Sequence, residues 1–128
     1  RSFVRADPDA FRQQLPEWHT YARRSPETAG ALTQKEAGLL VELTTEAAMA
    51  RGHNVWQDGS LQAWEFFRDR IAYFRRAYPQ YKIAVMYVSA CPATVLRRAE
   101  QRGRVSGRIV PRADLARSLL QAPAAFLS

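Results

Sequence analysis

The chain has 128 residues, a length that suits one domain, and 47% hydrophobic with 24% charged residues is the composition of a globular protein rather than a disordered one. No apolar run approaches the roughly 20 residues of a membrane span, and no signal-peptide pattern opens the sequence. The formal net charge is +7, and one cysteine, Cys91, excludes an internal disulfide framework and fits the cytoplasm or another reducing compartment. That thiol reads as buried or merely tolerated, because no histidine lies near it in sequence.

Phe3 to Ala6 reads as the end of a strand. Asp7-Pro8-Asp9 follows, a turn that also suits a helix start, and a short helix is expected over Asp9 to Leu15. Residues 16 to 32, with Pro16, Pro26 and Gly30, read as loop. Thr33-Gln34-Lys35-Glu36 has the form of a capping box, in which the threonine hydroxyl and the glutamate each satisfy a free backbone N–H. The helix it opens runs to about Arg51, with Ala37, Leu40, Val41, Thr44 and Ala48 as an apolar stripe and Gly52 as its stop. His53 to Gln57 is a short strand with Asp58-Gly59-Ser60 as the turn after it. Leu61 to Ala77 reads as an amphipathic helix, stopped at Tyr78-Pro79. Lys82 to Ala90 is a continuous apolar run, the pattern of a strand buried on both faces. A helix from Pro92 to about Gln101, a basic loop from Gly103 to Val110, a helix from Pro111 to Leu120 and a frayed end complete the chain.

Strands alternating with helices predict an α/β fold with a parallel sheet, and ligands in such sheets sit at the C-terminal ends of the strands. That rule selects Asp7 to Asp9, Asp58 to Ser60 and the turn near Cys91. Carboxylates at strand ends and a nearby arginine run suit phosphoryl transfer, which needs a base for the attacking hydroxyl and cations for the charge on the moving group. Asp9 is the base candidate, and Asp58 the candidate for a metal shell or for orienting substrate. Arg98, Arg102, Arg104 and Arg108 are candidate cations. Plainer readings stand beside these. Asp7 and Asp9 can serve as helix caps, Asp58-Gly59 as an ordinary turn, and the arginines as a solvated face. Of the 19 basic residues 17 are arginine, and seven of them fall within residues 97–117 against Glu100 and Asp114. A GC-rich codon bias explains the total as readily as phosphate binding does. The patch lacks the interleaved aromatics of a single-strand nucleic-acid surface, so nucleic acid is an unlikely partner. His19 and His53 are isolated and read as structural, and no zinc, EF-hand or nucleophile-elbow pattern is present.

Taken in order, these segments resemble the zeta-toxin family of P-loop kinases from Phe3 to about Leu119. Residues 3–16 resemble its strand followed by an acid-x-Asp-x-Phe-(Lys/Arg) segment and a proline. Thr33 to Gly52 resembles its Thr-x-x-x-Ala helix, Asn54 to Leu61 its strand ending in (Asp/Glu)-Gly-Thr, and Arg97 to Pro111 its arginine-bearing lid closed by Arg108-Ile109-Val110-Pro111. The resemblance implies a three-layer P-loop kinase-like fold: a single domain with a substrate-binding core over about 1–91 and a lid and following helix over about 92–121. It implies ATP and Mg²⁺ as cofactors and, as acceptor, the hydroxyl of a sugar or nucleotide sugar such as a UDP-activated amino sugar. Asp9 matches the catalytic base and Arg108 the second lid arginine, and either Arg98 or Arg102 aligns with the first. Asp7, Glu42, Asp58, Gly59 and Ser60 fall on substrate-binding positions, and Arg104 on the nucleotide side of the lid.

One departure stands out. The family's first strand and its Gly-x-x-x-x-Gly-Lys-(Ser/Thr) loop belong ahead of Phe3, and residues 1–128 hold no such loop; neither lysine, Lys35 or Lys82, follows the required glycine. In this fold class that strand lies between the strands near His53 and Lys82, so its absence predicts two open inner edges. The expected occupant of the gap is an N-terminal part of the same protein, with an assembly partner as second choice; an antitoxin-like inhibitor is a further possible partner. A non-catalytic, degenerate kinase-fold subunit and a basic RNA-binding domain are the alternatives.

Overall fold

The computed structural model describes residues 3–60, 62–106 and 109–127. Two parallel strands, β1 (Phe3–Ala6) and β2 (Asn54–Gln57), form its sheet, in the register Phe3↔Asn54 to Ala6↔Gln57. The Asp58 N–H donates to the Ala6 carbonyl at 3.0 Å and carries the pairing one residue past β2. The connection between the strands runs through α1 (Pro8–Gln14), α2 (Trp18–Arg24), α3 (Ala29–Leu32) and the long α4 (Gln34–Ala50). A parallel pair needs such a crossover, because a tight turn cannot bring the chain back to the starting end.

Helix α4 packs against α1 and both strands. Its buried side chains, Ala37, Val41, Thr45, Ala48 and Met49, recur at helical spacing and are mostly small, so its backbone lies close to the sheet. Ala6, Trp18 and Ala29 complete this core. The helix ends as expected at Gly52. His53 N–H bonds to the Ala48 carbonyl and Gly52 N–H to that of Met49, with Gly52 at φ +75°. Those two bonds close the terminal carbonyls in a Schellman motif, and the positive φ suits a residue without Cβ.

Beyond β2 come α5 (Trp64–Ala77), α6 (Pro92–Ser106) and α7 (Arg112–Leu127). Several expectations need correction. Residues 16–32 hold the two short helices α2 and α3 rather than a loop. Helix α6 continues to Ser106, through much of the expected basic loop, and α7 runs past Pro123 where fraying was expected. The largest difference lies at Lys82 to Ala90, which forms no strand. Met86 and Val88 stand 67% and 87% exposed. An apolar run becomes a buried strand only if a neighbour satisfies its N–H and C=O groups, and among the described residues the β1–β2 ladder does not extend to it. The sheet is therefore two strands of the three-layer arrangement that was expected, and one of the two predicted open edges is not a strand. No helix among the described residues is long and apolar enough to cross a membrane.

Candidate functional site

Parallel pairing of β1 with β2 puts the residues that follow each strand on one rim. Asp7 lies just past β1 and Asp58 just past β2, and Arg5 joins them. Its guanidinium reaches Asp58 Oδ2 through Nε at 3.1 Å and Nη2 at 2.9 Å, and Asp7 Oδ2 through Nη2 at 3.0 Å. The hydrogen bond and charge of Asp58, then the charge of Asp7, hold the Arg5 guanidinium protonated beyond its already high ordinary range. Asp58 Oδ1 also accepts from the Trp56 indole N–H at 2.9 Å. The two acids that the sequence places 51 positions apart thus form one clasp, with an arginine that sequence reasoning did not single out. Arg5 is 68% exposed, so the clasp is open to solvent and to a ligand.

Asp7 is also the N-cap of α1: its Oδ1 accepts from the backbone N–H of Asp9 at 2.8 Å and of Ala10 at 3.3 Å. The capping and site readings of Asp7 therefore describe one carboxylate, with Oδ1 on the helix and Oδ2 on Arg5. Asp9 sits in the first turn and pairs with Arg12, three residues on. Arg12 is 2% exposed and was also missed, although its i,i+3 spacing from Asp9 is visible in the sequence. The capping box fails for the same reason. Thr33 makes no side-chain cap; its hydroxyl donates to the Ala29 carbonyl at 2.8 Å and accepts from Arg12 Nε at 2.9 Å. The oxygen is committed to a residue 21 positions away and turns from the start of its own helix.

Gly59 lies under the Phe67 ring, where an added Cβ would come within 2.9 Å of the ring edge. Ser60 Oγ stands 3.5 Å from the Gln62 N–H. Both belong to the turn that leads from Asp58 into α5. Glu42, on α4, is half exposed and lies 3.9 Å from Arg70 Nη1. One turn further along α4, Glu46 Oε1 accepts from the hydroxyls of Tyr73 at 2.6 Å and Tyr78 at 2.9 Å, while Oε2 lies 3.7 Å from Arg70. Tyr81 Oη lies 3.0 and 2.9 Å from the carbonyls of Met49 and His53. These long side chains tie α5 and the turn after it to the end of α4.

The Glu46 cluster has a pH signature. The Tyr73 hydroxyl first, then Tyr78 and Arg70, hold Glu46 below its ordinary range against a burial that pushes it up. The same hydrogen bonds, with burial and the carboxylate charge, push both phenols up. A depressed carboxylate contributes stability above the ordinary glutamate range and loses it as pH falls through the folded value; a raised phenol contributes below about pH 10 and loses it as pH rises through its folded value. Thermal unfolding of a Tyr73→Phe, Tyr78→Phe variant is expected to lose both limbs relative to the parent. The difference should be small, because Glu46 is a third exposed and solvent screens it. An unchanged difference between pH 7 and pH 4 would refute the assignment.

The arginine run stands apart from this rim. Helix α6 packs mainly on α7, and Arg98, Arg102 and Arg104 make no ion pair among the described residues. Arg108 lies outside the described residues. Arg104, with Glu100, Leu96, Ala99, Ile109 and Leu115, lines an open cleft of 740 Å³ between α6 and α7 that does not include the strand-end acids. Cys91 is exposed, which leaves the second of the two expected readings, a merely tolerated thiol rather than a buried one. Its Sγ lies 3.1 Å from Thr94 Oγ1, and that hydrogen bond, with backbone N–H groups at the start of α6, lowers its pKa. Among the described residues no three His, Cys, Asp or Glu gather to hold a metal ion.

A family model described as zeta toxin matches residues 1–126. No curated protein and no solved structure matches the chain.

Proposed function

We propose that this chain, which belongs to the zeta toxin family and so points to a kinase-like function, carries the acceptor side of an ATP-dependent small-molecule kinase. The acceptor is the hydroxyl of a sugar or nucleotide sugar. The observation that carries the reading is the rim at the C-terminal strand ends, where Arg5 clasps Asp7 and Asp58 and Asp9 stands in the first turn of α1. Carboxylates with spare lone pairs accept hydrogen bonds from sugar hydroxyls, and Arg5 balances their charge beside an anionic substrate. Asp9 takes the proton of the attacking hydroxyl, at a carboxylate already oriented by Arg12. Gly59 and Ser60, in the turn after Asp58, extend the acceptor pocket, and Glu42, held beside Arg70 on α5, is a further substrate-contacting acid. Arg98 or Arg102, with Arg108, supplies cations for the moving group, and Arg104 faces the nucleotide once α6 closes over the rim.

The residues present fit an acceptor and do not fit the phosphate chain of ATP or its Mg²⁺. Residues 1–128 contain no glycine-rich phosphate loop, and the described acids form no cluster of three. A further segment or a partner that also covers the apolar run at 82–90 is the proposed holder of both nucleotide and metal. A second reading is a kinase fold kept as a non-catalytic subunit. Incubating the intact protein with ATP, Mg²⁺ and a UDP-activated amino sugar decides between them. Phosphorylated sugar, seen by mass spectrometry, supports the kinase, and its absence across nucleotide-sugar acceptors supports the subunit.

A further inference from the structure

We propose that Arg12 is a positioning residue for Asp9, an inference that rests on the kinase reading and deepens it. Arg12 is the largest fully buried side chain described. A buried guanidinium is tolerated only when its donors are satisfied, and here each edge of the plane is used. Nε donates to Thr33 Oγ1 at 2.9 Å, Nη2 to Gln34 Oε1 at 2.9 Å, and Nη1 to Asp9 Oδ1. Thr33 is itself buried, and its own donation to the Ala29 carbonyl at 2.8 Å turns an oxygen lone pair toward Arg12.

The geometry follows from the planarity of the group. Two bonds to acceptors at the junction of α3 and α4, Gln34 and the buried Thr33, set the plane of the guanidinium, and the plane sets where Nη1 can point. Asp9 Oδ1 is bonded there, so the carboxylate on α1 is aligned by α4 through an intermediate side chain. Asp9 is 51% exposed, so this bond leaves the carboxylate within reach of solvent and ligand. A carboxylate left to its own rotamers would sample orientations that miss the acceptor hydroxyl, and misplacements of about 1 Å cost up to about 100-fold in rate. Arg12 thus acts through Asp9 without touching substrate.

The test uses Gln34→Leu, because Arg12 itself sits in the core and its removal risks the fold. Gln34 is exposed, and its loss removes the acceptor bonded to Nη2 while leaving Nε on Thr33. In the intact protein Gln34→Leu is expected to lower kcat about tenfold with KM near the parent value, while Tm falls by a few degrees for the lost Nη2 bond. In an Asp9→Asn background it should lower kcat no further, since the route runs through Asp9. Nitrogen-15 spectra of the guanidinium give a readout independent of turnover: hindered Nη signals for Arg12 in the parent, averaged in Gln34→Leu. Averaged signals in the parent, an unchanged kcat once the guanidinium is released, or a full additional loss in the Asp9→Asn background would each overturn the proposal. A parent with no transfer activity overturns the kinase reading itself, an outcome distinct from these three.

Discussion

Asp9→Asn is expected to lower phosphoryl transfer by the intact protein about 10²- to 10⁴-fold, the usual worth of a general base. Asparagine keeps the size of the side chain, and its amide oxygen can still accept from Arg12 Nη1, so the Arg12 network keeps its anchor on α1. What asparagine cannot do is take a proton. The loss should therefore appear in kcat, with KM changed by no more than a few-fold, because the hydroxyl can still hydrogen-bond to the amide oxygen. Folding should weaken as well: one negative charge leaves the first turn of α1, and the buried Arg12 guanidinium loses the charge of its paired carboxylate, so the unfolding midpoint is expected to fall. Measuring kcat and KM together with the unfolding midpoint separates these effects. A variant that retains activity within a few-fold would show that another group takes the proton, and Asp9 would revert to a helix-end residue that pairs with Arg12.

The parts of this structure that sequence reasoning reached share one property: the information is local. The stripe of Ala37, Val41 and Ala48, the stop at Gly52, and the two short strands each depend on neighbours within a turn or a few residues. The rule that ligands gather at parallel strand ends then selected Asp7 and Asp58, and the fold puts both on one arginine. What escaped was carried by distant pairs. The Thr33 hydroxyl left its capping role for an arginine on another helix, and Arg5 reaches a carboxylate 53 positions away. Neither arginine stood out among 17, a number that codon bias explained as readily as phosphate binding. The run from Lys82 to Ala90 failed for a related reason. Its apolar pattern states that the segment suits burial on two faces, but a strand is a property of two segments, and the pattern says nothing about the second. The same limit applies to the arginines of α6, whose spacing made a patch and whose helix packs on α7 rather than on the acid rim.

Arg12→Leu is expected to cost about 3 kcal/mol of folding stability, a large share of the roughly 5–15 kcal/mol of a domain this size. The sum begins with three hydrogen bonds from a charged donor group, each worth about 1.5–3 kcal/mol when broken in a protected setting. It is reduced because the partners are not stranded: Asp9 and Gln34 meet water, and Thr33 keeps its bond to the Ala29 carbonyl. It is reduced again because leucine buries apolar surface in place of a desolvated cation, the exchange that makes many buried charges replaceable. What remains is the space the shorter side chain leaves between α1 and the start of α4, together with the lost tie between those helices. Thermal unfolding reads the difference, with an expected fall in Tm of about 10 °C. Arg12→Lys should recover only part of it, since one ammonium cannot span acceptors on Thr33, Gln34 and Asp9 at once. A loss below about 1 kcal/mol in Arg12→Leu would mean that α4 holds α1 through apolar contact alone, and the lock on Asp9 would then be a consequence of that packing rather than a part of it.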